Sequence, residues 1–367
     1  MTPRGAAVHT DIAIVERPDG PPSLIRPGQL ITDRRGARAA ERWIRAASSA
    51  GGVRTVWLNP GLDPLRIAAD LRARGHLASA NHVFVGQPLW FGGPASRPVP
   101  ADPVTWSPEP AGPRAVTVAV LDTGIAGHPW WRPSPWFAEV GHADGETPDS
   151  DGDGRLDTQA GHGTFIAGLL VRGAPGVRLR VSRVLDGHGV GDEAGVLRAL
   201  DRLRHDPPEV LNLSFGGYTP DDAPPPLLAA ALARLSTRGG GGTAVVACAG
   251  NTPSARPFWP AALPEVIAVG ALDTAGQSAA PFSAHGPWVD ACAPGEWLTS
   301  SFLHTAGFRG YARWSGTSFA SALVSAAIAG TLGSDLASTP GEAAVGFLAP
   351  PGGHPVPGLG AAVPSGL

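Results

Sequence analysis

Four polar side chains that lie far apart in the chain, Asp122, His162, Asn251 and Ser318, are of the types that together move a proton and stabilise an anion. Ser318 stands in Gly316-Thr317-Ser318-Phe319-Ala320-Ser321-Ala322, which opens a run of small and apolar residues reaching Gly330. The Ala-rich run favours a helix and Gly316 permits backbone angles closed to other residues, so Ser318 is expected at a helix N-terminus. There the unpaired backbone N–H groups and the positive end of the helix dipole favour an anion beside the hydroxyl, which is what attack on a carbonyl creates. Ser318 is therefore a candidate nucleophile, although serine is also a preferred helix cap.

Asp122 follows a strongly apolar strand in Leu121-Asp122-Thr123-Gly124, a position open equally to a turn former. His162 lies between glycines in Gly161-His162-Gly163-Thr164-Phe165-Ile166-Ala167-Gly168, ahead of a run able to form a buried helix. Its imidazole suits proton transfer at neutral pH, and the glycines let other backbone or a substrate approach closely. Asn251 ends Ala247-Cys248-Ala249-Gly250-Asn251; its amide can donate to a developing oxyanion, or it can simply occupy a turn.

The elements that must position these groups fall into two units. Residues 11–93 alternate strand-like and helix-like patterns: strands over 11–16, 29–32, 53–58 and 83–85, a helix over 37–50 closed by Gly51-Gly52, and a second helix capped by Asp63-Pro64 and stopped at Gly75. Residues 1–93 are thus expected to form a small α+β domain. Residues 94–114, with prolines every few positions, read as an exposed, extended linker. From 115 to 367 the chain is expected to form the second domain. Near-continuous apolar runs at 116–121, 179–185, 210–213, 243–247 and 266–269 alternate with helical patterns at 193–204 and 227–238. Strands apolar on both faces belong in a parallel sheet covered by helices, so this part is expected to be a doubly wound, mostly parallel α/β fold with its site at the carboxyl ends of the strands. A short helix over 340–348 and a Pro/Gly-rich tail follow.

With 367 residues and 43% apolar content the chain can fill a large core, while 50 Gly and 39 Pro predict many tight turns. A formal net charge of -3 gives no reason to expect a nucleic-acid partner. No apolar core suited to a secretory signal stands at the N-terminus and no run of about 18 apolar residues occurs, so no membrane partner is expected and the cytoplasm is the default compartment, with secretion by another route left open. The two cysteines, Cys248 and Cys292, lie in apolar stretches and are expected as buried free thiols rather than a bridge.

Taken in order, the motifs resemble the subtilisin-like serine proteases, or subtilases, over roughly residues 115 to 332. The resemblance rests on AVLDTG around Asp122, GHGTFIAG around His162, VLNLSFGG at 210–217, VVACAGN ending at Asn251, LPEVIAVGA at 263–271, FSAHGPWVDACAPG at 282–295 and ARWSGTSFASA around Ser318. It implies a serine endopeptidase in which Ser318 is the nucleophile, His162 the general base and acid, Asp122 the orienting carboxylate, and Asn251 with the Ser318 N–H the oxyanion hole. It also implies that Ser214, Phe215 and Gly216 pair with an extended peptide or protein substrate and that, with Ala249 and Gly250, they wall the primary pocket. Phe258 or Arg256 would narrow that pocket, because the loop from Thr252 to Trp259 is short for the family. The sequence departs from the family pattern at Phe165, commonly His, and at Ser321-Ala322-Leu323, where Ser-Pro-His is common.

No cofactor is expected for the chemistry itself. Asp149, Asp151, Asp153 and Asp157 alternate with glycines and can gather hard oxygens around a structural Ca²⁺, or form a solvated acidic loop, since the full EF-hand pattern would need Glu where Ala160 stands. Residues 1–93 resemble, in size and element order, the propeptide-like domain that precedes many subtilase domains, which implies an inhibitory partner within the chain. A permanent accessory domain is the alternative. A monomer is expected. Two other functions stay open: a subtilase-shaped binding scaffold that does not turn over, and a maturation protease or peptide ligase that passes its acyl group to one specific acceptor.

Overall fold

A computed structural model describes residues 11–50, 52–86, 97–106, 112–239, 242–305, 307–348 and 355–363. The first unit comprises strands β1 (Ala13–Val15) and β2 (Ser23–Thr32), helix α1 (Arg34–Ala39), strands β3 (Ile44–Ala50) and β4 (Val53–Leu58), helix α2 (Pro64–Ala73) and strand β5 (Ala78–Val85). Strand β2 pairs antiparallel with β1, β4 and β5, and α2 lays Ile67, Ala68 and Leu71 against Leu30, Val56 and Leu58. The Asp63 carboxylate caps α2 by accepting the Leu65 N–H at 2.9 Å, as the Asp-Pro signal predicts.

One expectation fails here. Residues 37–50 are not one helix: α1 ends at Ala39, and Ile44–Ala50 is a strand that pairs with β4 across the turn at Gly52, where φ is +75°. Ala46, Ala47 and Ser48 carry helix propensity, but the edge of β4 offers this exposed segment a full ladder of hydrogen bonds, and that tertiary pairing outweighs the small intrinsic preference.

The expected linker is described over residues 97–106 and 112–114; its residues 94–96 and 107–111 lie outside the described residues, as do 1–10 and 87–93 of the expected first domain and 349–354 and 364–367 of the tail. Strand β6 (Val99–Pro100) docks on an antiparallel hairpin of the second unit, an edge position that tolerates proline.

The second unit runs β7 (Thr117–Asp122), α3 (Pro135–Ala138), α4 (His162–Gly173), β8 (Arg178–Arg183), β9 (Val190–Asp192), α5 (Glu193–Leu203), β10 (Val210–Leu213), α6 (Pro226–Leu235), β11 (Ala244–Cys248), β12 (Ile267–Leu272), β13 (Ala291–Pro294), the hairpin β14 (Leu298–Thr305) and β15 (Phe308–Trp314), α7 (Thr317–Gly333), α8 (Pro340–Leu348) and β16 (Ala361–Ala362). A seven-stranded parallel sheet has the order β16-β13-β12-β11-β10-β7-β8. Alternate residues of each strand feed two cores: Val118 and Val120 of β7 and Val246 of β11 meet α4 and α7, while Leu121 and Val245 meet α5 and α6. Burial on both faces is why these strands read as continuous apolar runs, and the doubly wound α/β architecture follows.

The two units share structure. Strand β9 completes the sheet of the first unit by pairing antiparallel with β5, Phe84 opposite Gly191. Ile31 packs with Ala194, Leu197 and Leu227. Between them His82 Nδ1 lies 2.8 Å from the buried Glu193 carboxylate, which also accepts the Ser79 hydroxyl at 3.1 Å. No described helix is long and apolar enough to cross a membrane.

Candidate active site

Parallel strands deliver their carboxyl ends to one edge, where Asp122 ends β7 and Ser214 and Asn251 follow β10 and β11. His162 is the first residue of α4. A Cβ on Gly163 would stand 2.2 Å from the Gly124 carbonyl oxygen and 3.2 Å from the Asp122 Cβ, so only glycine lets the helix start approach the strand end this closely. Across that contact His162 Nδ1 lies 2.8 Å from Asp122 Oδ1, both side chains wholly buried. Asp122 Oδ1 also accepts the Thr123 backbone N–H at 2.8 Å. With the carboxylate as acceptor the proton sits on Nδ1, and Nε2 is the basic nitrogen of the imidazole.

His162 Nε2 has no hydrogen-bond partner among the described residues. The imidazole is held edge-on to Trp314, with ring centres 5.4 Å apart, and 5.3 Å from Phe319, the neighbour of Ser318. Phe165 lies 4.4 Å from Phe319 and edge-on to Trp314, so this departure from the family pattern backs the aromatic wall around the histidine.

Ser318 is the second residue of α7, buried like His162, and its N–H is among those a helix leaves without an intrahelical acceptor. Its Oγ donates to the Ser214 carbonyl at 3.2 Å, so the serine–histidine hydrogen bond is not made in this rotamer. The Ser318 carbonyl is pinned by two hydroxyls, Ser321 Oγ at 2.8 Å and Ser214 Oγ at 3.1 Å; Asn212 donates to Ser214 Oγ at 2.8 Å and accepts the Ser325 hydroxyl at 3.0 Å. Sequence reasoning missed Asn212, although an amide inside the apolar Val210-Leu211-Asn212-Leu213 strand was its signal.

Asn251 Oδ1 accepts both the N–H and the hydroxyl of Thr317 at 2.8 Å. Two donors on one oxygen fix the amide's orientation and leave its NH₂ as the group that is free to donate. Thr317 in turn accepts the Gly250 N–H at 3.1 Å, tying the end of β11 to the start of α7.

The five expected pocket residues separate. Gly250, at φ +103°, lines a cavity of about 480 Å³ together with Tyr218, Cys248 and Phe258. Ala249, Ser214, Phe215 and Gly216 do not line it. Phe215 points into the core against Phe84, ring centres 6.0 Å apart, and Gly216 serves through its backbone. Phe258 packs over both glycines: a Cβ on Gly216 would meet its ring at 2.4 Å and one on Gly250 at 3.2 Å, and Phe258 lines this cavity. Arg256 turns away toward the first unit, donating to the Pro21 carbonyl, Ser23 and Asp222. Cys248 and Cys292 are buried free thiols, and burial pushes the Cys248 thiol up to about 12.

In the acidic loop Asp149, Asp151 and Asp153 bring carboxylate oxygens within 4.8 Å of one another, and Asp157 gathers instead with Asp151 and His188. Asp157 is buried, accepts the Ser150 N–H at 2.8 Å and lies 3.2 Å from His188 Nε2. The exposed oxygens of Asp149 accept the N–H groups of Asp153 and Gly154 at 3.0 and 2.9 Å. The Gly154 N–H is the main reason the Asp149 carboxyl is held below its ordinary range.

A family model described as the subtilase family matches residues 113–342. The chain is 34% identical over 170 residues to a thermophilic serine proteinase of Bacillus sp. (strain AK1), covering 44% of this chain and 39% of that protein. It is 30% identical over 228 residues to thermitase of Thermoactinomyces vulgaris and 31% identical over 223 residues to subtilisin Savinase of Lederbergia lenta, covering 59% and 58% of this chain and 74% and 75% of theirs. The chain therefore spans well under half of the first relative and about three quarters of the other two. The match takes in β7, α4, β11 and the first helical turn of α7, the elements that carry Asp122, His162, Asn251 and Ser318, and the chain belongs to the subtilase family.

Proposed function

We propose that the protein is a serine endopeptidase that hydrolyses peptide bonds through an acyl-enzyme. Ser318 attacks, His162 takes its proton and returns it to the leaving amine, Asp122 holds the imidazole, and the Asn251 amide with the Ser318 N–H stabilises the oxyanion. The observation that carries this reading is the His162–Asp122 contact of 2.8 Å, with Asn251 locked by Thr317 beside Ser318. A change of χ1, the only heavy-atom torsion of serine, is the movement that takes Oγ from Ser214 toward His162. The test is labelling by a fluorophosphonate probe together with N-terminal sequencing of the purified protein and of Ser318→Ala. A cut within residues 86–114 in the former alone supports both activity and self-processing.

The first unit acts in this reading as a cover that occupies the substrate edge. Val85 exchanges two backbone hydrogen bonds with Gly216, at 2.8 and 3.1 Å, and Gly86 donates to the Gly189 carbonyl at 2.9 Å. An extended substrate would need the same edge. Arg256 and Arg17, both on Asp222, fasten the loop at Pro21 over the cavity. Arg256→Ala is expected to speed labelling of Ser318 in the full chain by about tenfold, the equivalent of a 1.4 kcal/mol weaker cover. An unchanged rate would mean that this contact does not limit access.

A structural Ca²⁺ in the acidic loop is part of the same proposal. Asp149, Asp151 and Asp153 would hold it, with Asp157 fixing the loop from below. Millimolar calcium is then expected to raise Tm by about 2–4 °C for each kcal/mol of binding. Asp151→Asn should remove that rise, and equal melting with calcium and with chelator would leave the loop a self-satisfied turn.

A further inference from the structure

The first turn of α4 carries His162, and its N–H groups need acceptors. The cap residue, Gly161, cannot supply one: its φ is +85°, and a Cβ there would stand 2.6 Å from Phe302 Cε2. The acceptors come from outside the helix. Glu146 accepts the Gly161 N–H through Oε2 at 3.1 Å, and the N–H and hydroxyl of Thr164 through Oε1 at 3.1 and 3.0 Å. Thr123, the residue after Asp122, donates its hydroxyl to Glu146 Oε1 at 3.1 Å and accepts the Gly163 N–H at 3.0 Å. The same hydroxyl oxygen lies 3.3 Å from Asp122 Oδ1. One half-buried carboxylate thus bridges the strand end that carries Asp122 and the helix start that carries His162.

We propose that Glu146 is a positioning residue, which in its ionised form caps α4 and orients the Thr123 hydroxyl so that the His162–Asp122 hydrogen bond keeps one geometry. The proposal rests on the reading of Asp122, His162 and Ser318 given above. An anion suits this place because the N-terminus of α4 presents N–H groups and the positive end of its dipole. Burial pushes the Glu146 carboxyl above its usual range, and the nearby Asp122 charge pushes it the same way. The Gly161 and Thr164 donors oppose both. Glutamine at this position keeps the shape and one acceptor oxygen, but turns an NH₂ toward the Gly161 N–H and removes the charge.

The test compares the full chain with Glu146→Gln, Thr123→Val, Thr123→Ser and the double variant Glu146→Gln/Thr123→Val. The readouts are the low-field proton resonance of His162 Nδ1–H and the rate of fluorophosphonate labelling. A single sharp low-field resonance is expected in the wild type and in Thr123→Ser, and broadening or loss in Glu146→Gln and Thr123→Val. Labelling should slow about tenfold in each of the last two, and the double variant should be no slower than either, since both cut one link. A sharp resonance and an unchanged rate in Glu146→Gln would overturn the proposal, as would multiplying losses in the double variant or absence of the resonance from the wild type. A wild type that shows the resonance yet never labels, even once residues 1–93 have been cut away, would sink the peptidase reading and leave the role of Glu146 decided by the spectra alone.

Discussion

Ser318→Ala is expected to fold normally and to lose about 10⁶ in kcat, the scale seen when the serine of a subtilisin is removed. The fold should survive because the hydrogen bond from the Ser318 hydroxyl to the Ser214 carbonyl is worth only about 1 kcal/mol. The Ser318 backbone carbonyl, held by Ser214 and Ser321, is untouched by the change. What disappears is the hydroxyl that the proposed mechanism uses to attack and to pass its proton to His162 Nε2. Retained turnover in the alanine variant, measured with a peptide anilide at saturating concentration, would show that the chemistry lies elsewhere. A wild type of unchanged fold that is freed of residues 1–93 and still unreactive to the probe would favour the scaffold reading instead.

Asn251→Ala is expected to lower kcat by about 10²–10³ with little change in KM, the loss known for the corresponding donor in a subtilisin. Here the effect has two parts that a second variant separates. Asn251 Oδ1 satisfies the buried Thr317 N–H and hydroxyl, so alanine also leaves donors unpaired at the start of α7 and should cost about 1–3 kcal/mol of stability. Asn251→Asp keeps an acceptor for both donors and restores that stability, yet sets a negative charge where the oxyanion forms. It should therefore melt close to the wild type and turn over no faster than alanine. If the aspartate variant recovered activity, the role of Asn251 would be to hold Thr317 and not to stabilise the oxyanion.

The parallel sheet was legible because its strands are buried on both faces, which forces near-continuous apolar runs such as Ala244-Val245-Val246-Ala247. The helix over Pro64–Ala73 was legible from its cap, since Asp63 acts on neighbours two residues away. Residues 44–50 were not, because the partner that makes them a strand is supplied by β4 and not by their own side chains. Glu146 was missed for a related reason. A single glutamate in a loop carries no local signal, and its acceptors' partners come from the ends of β7 and α4.

By itself, the sequence determined the motif series that marks the family and that Asp122 and Asn251 lie at the ends of apolar strands, because residue type and local hydrophobic period need no distant partner. Tertiary structure alone decided that Gly163 lets His162 reach Asp122, that Phe258 and not Arg256 lines the cavity beside Gly250, and that Val85 lies on the edge at Gly216. Those outcomes depend on contacts between elements far apart in the chain, whose geometry is set by packing of the whole core and cannot be read from neighbouring residues.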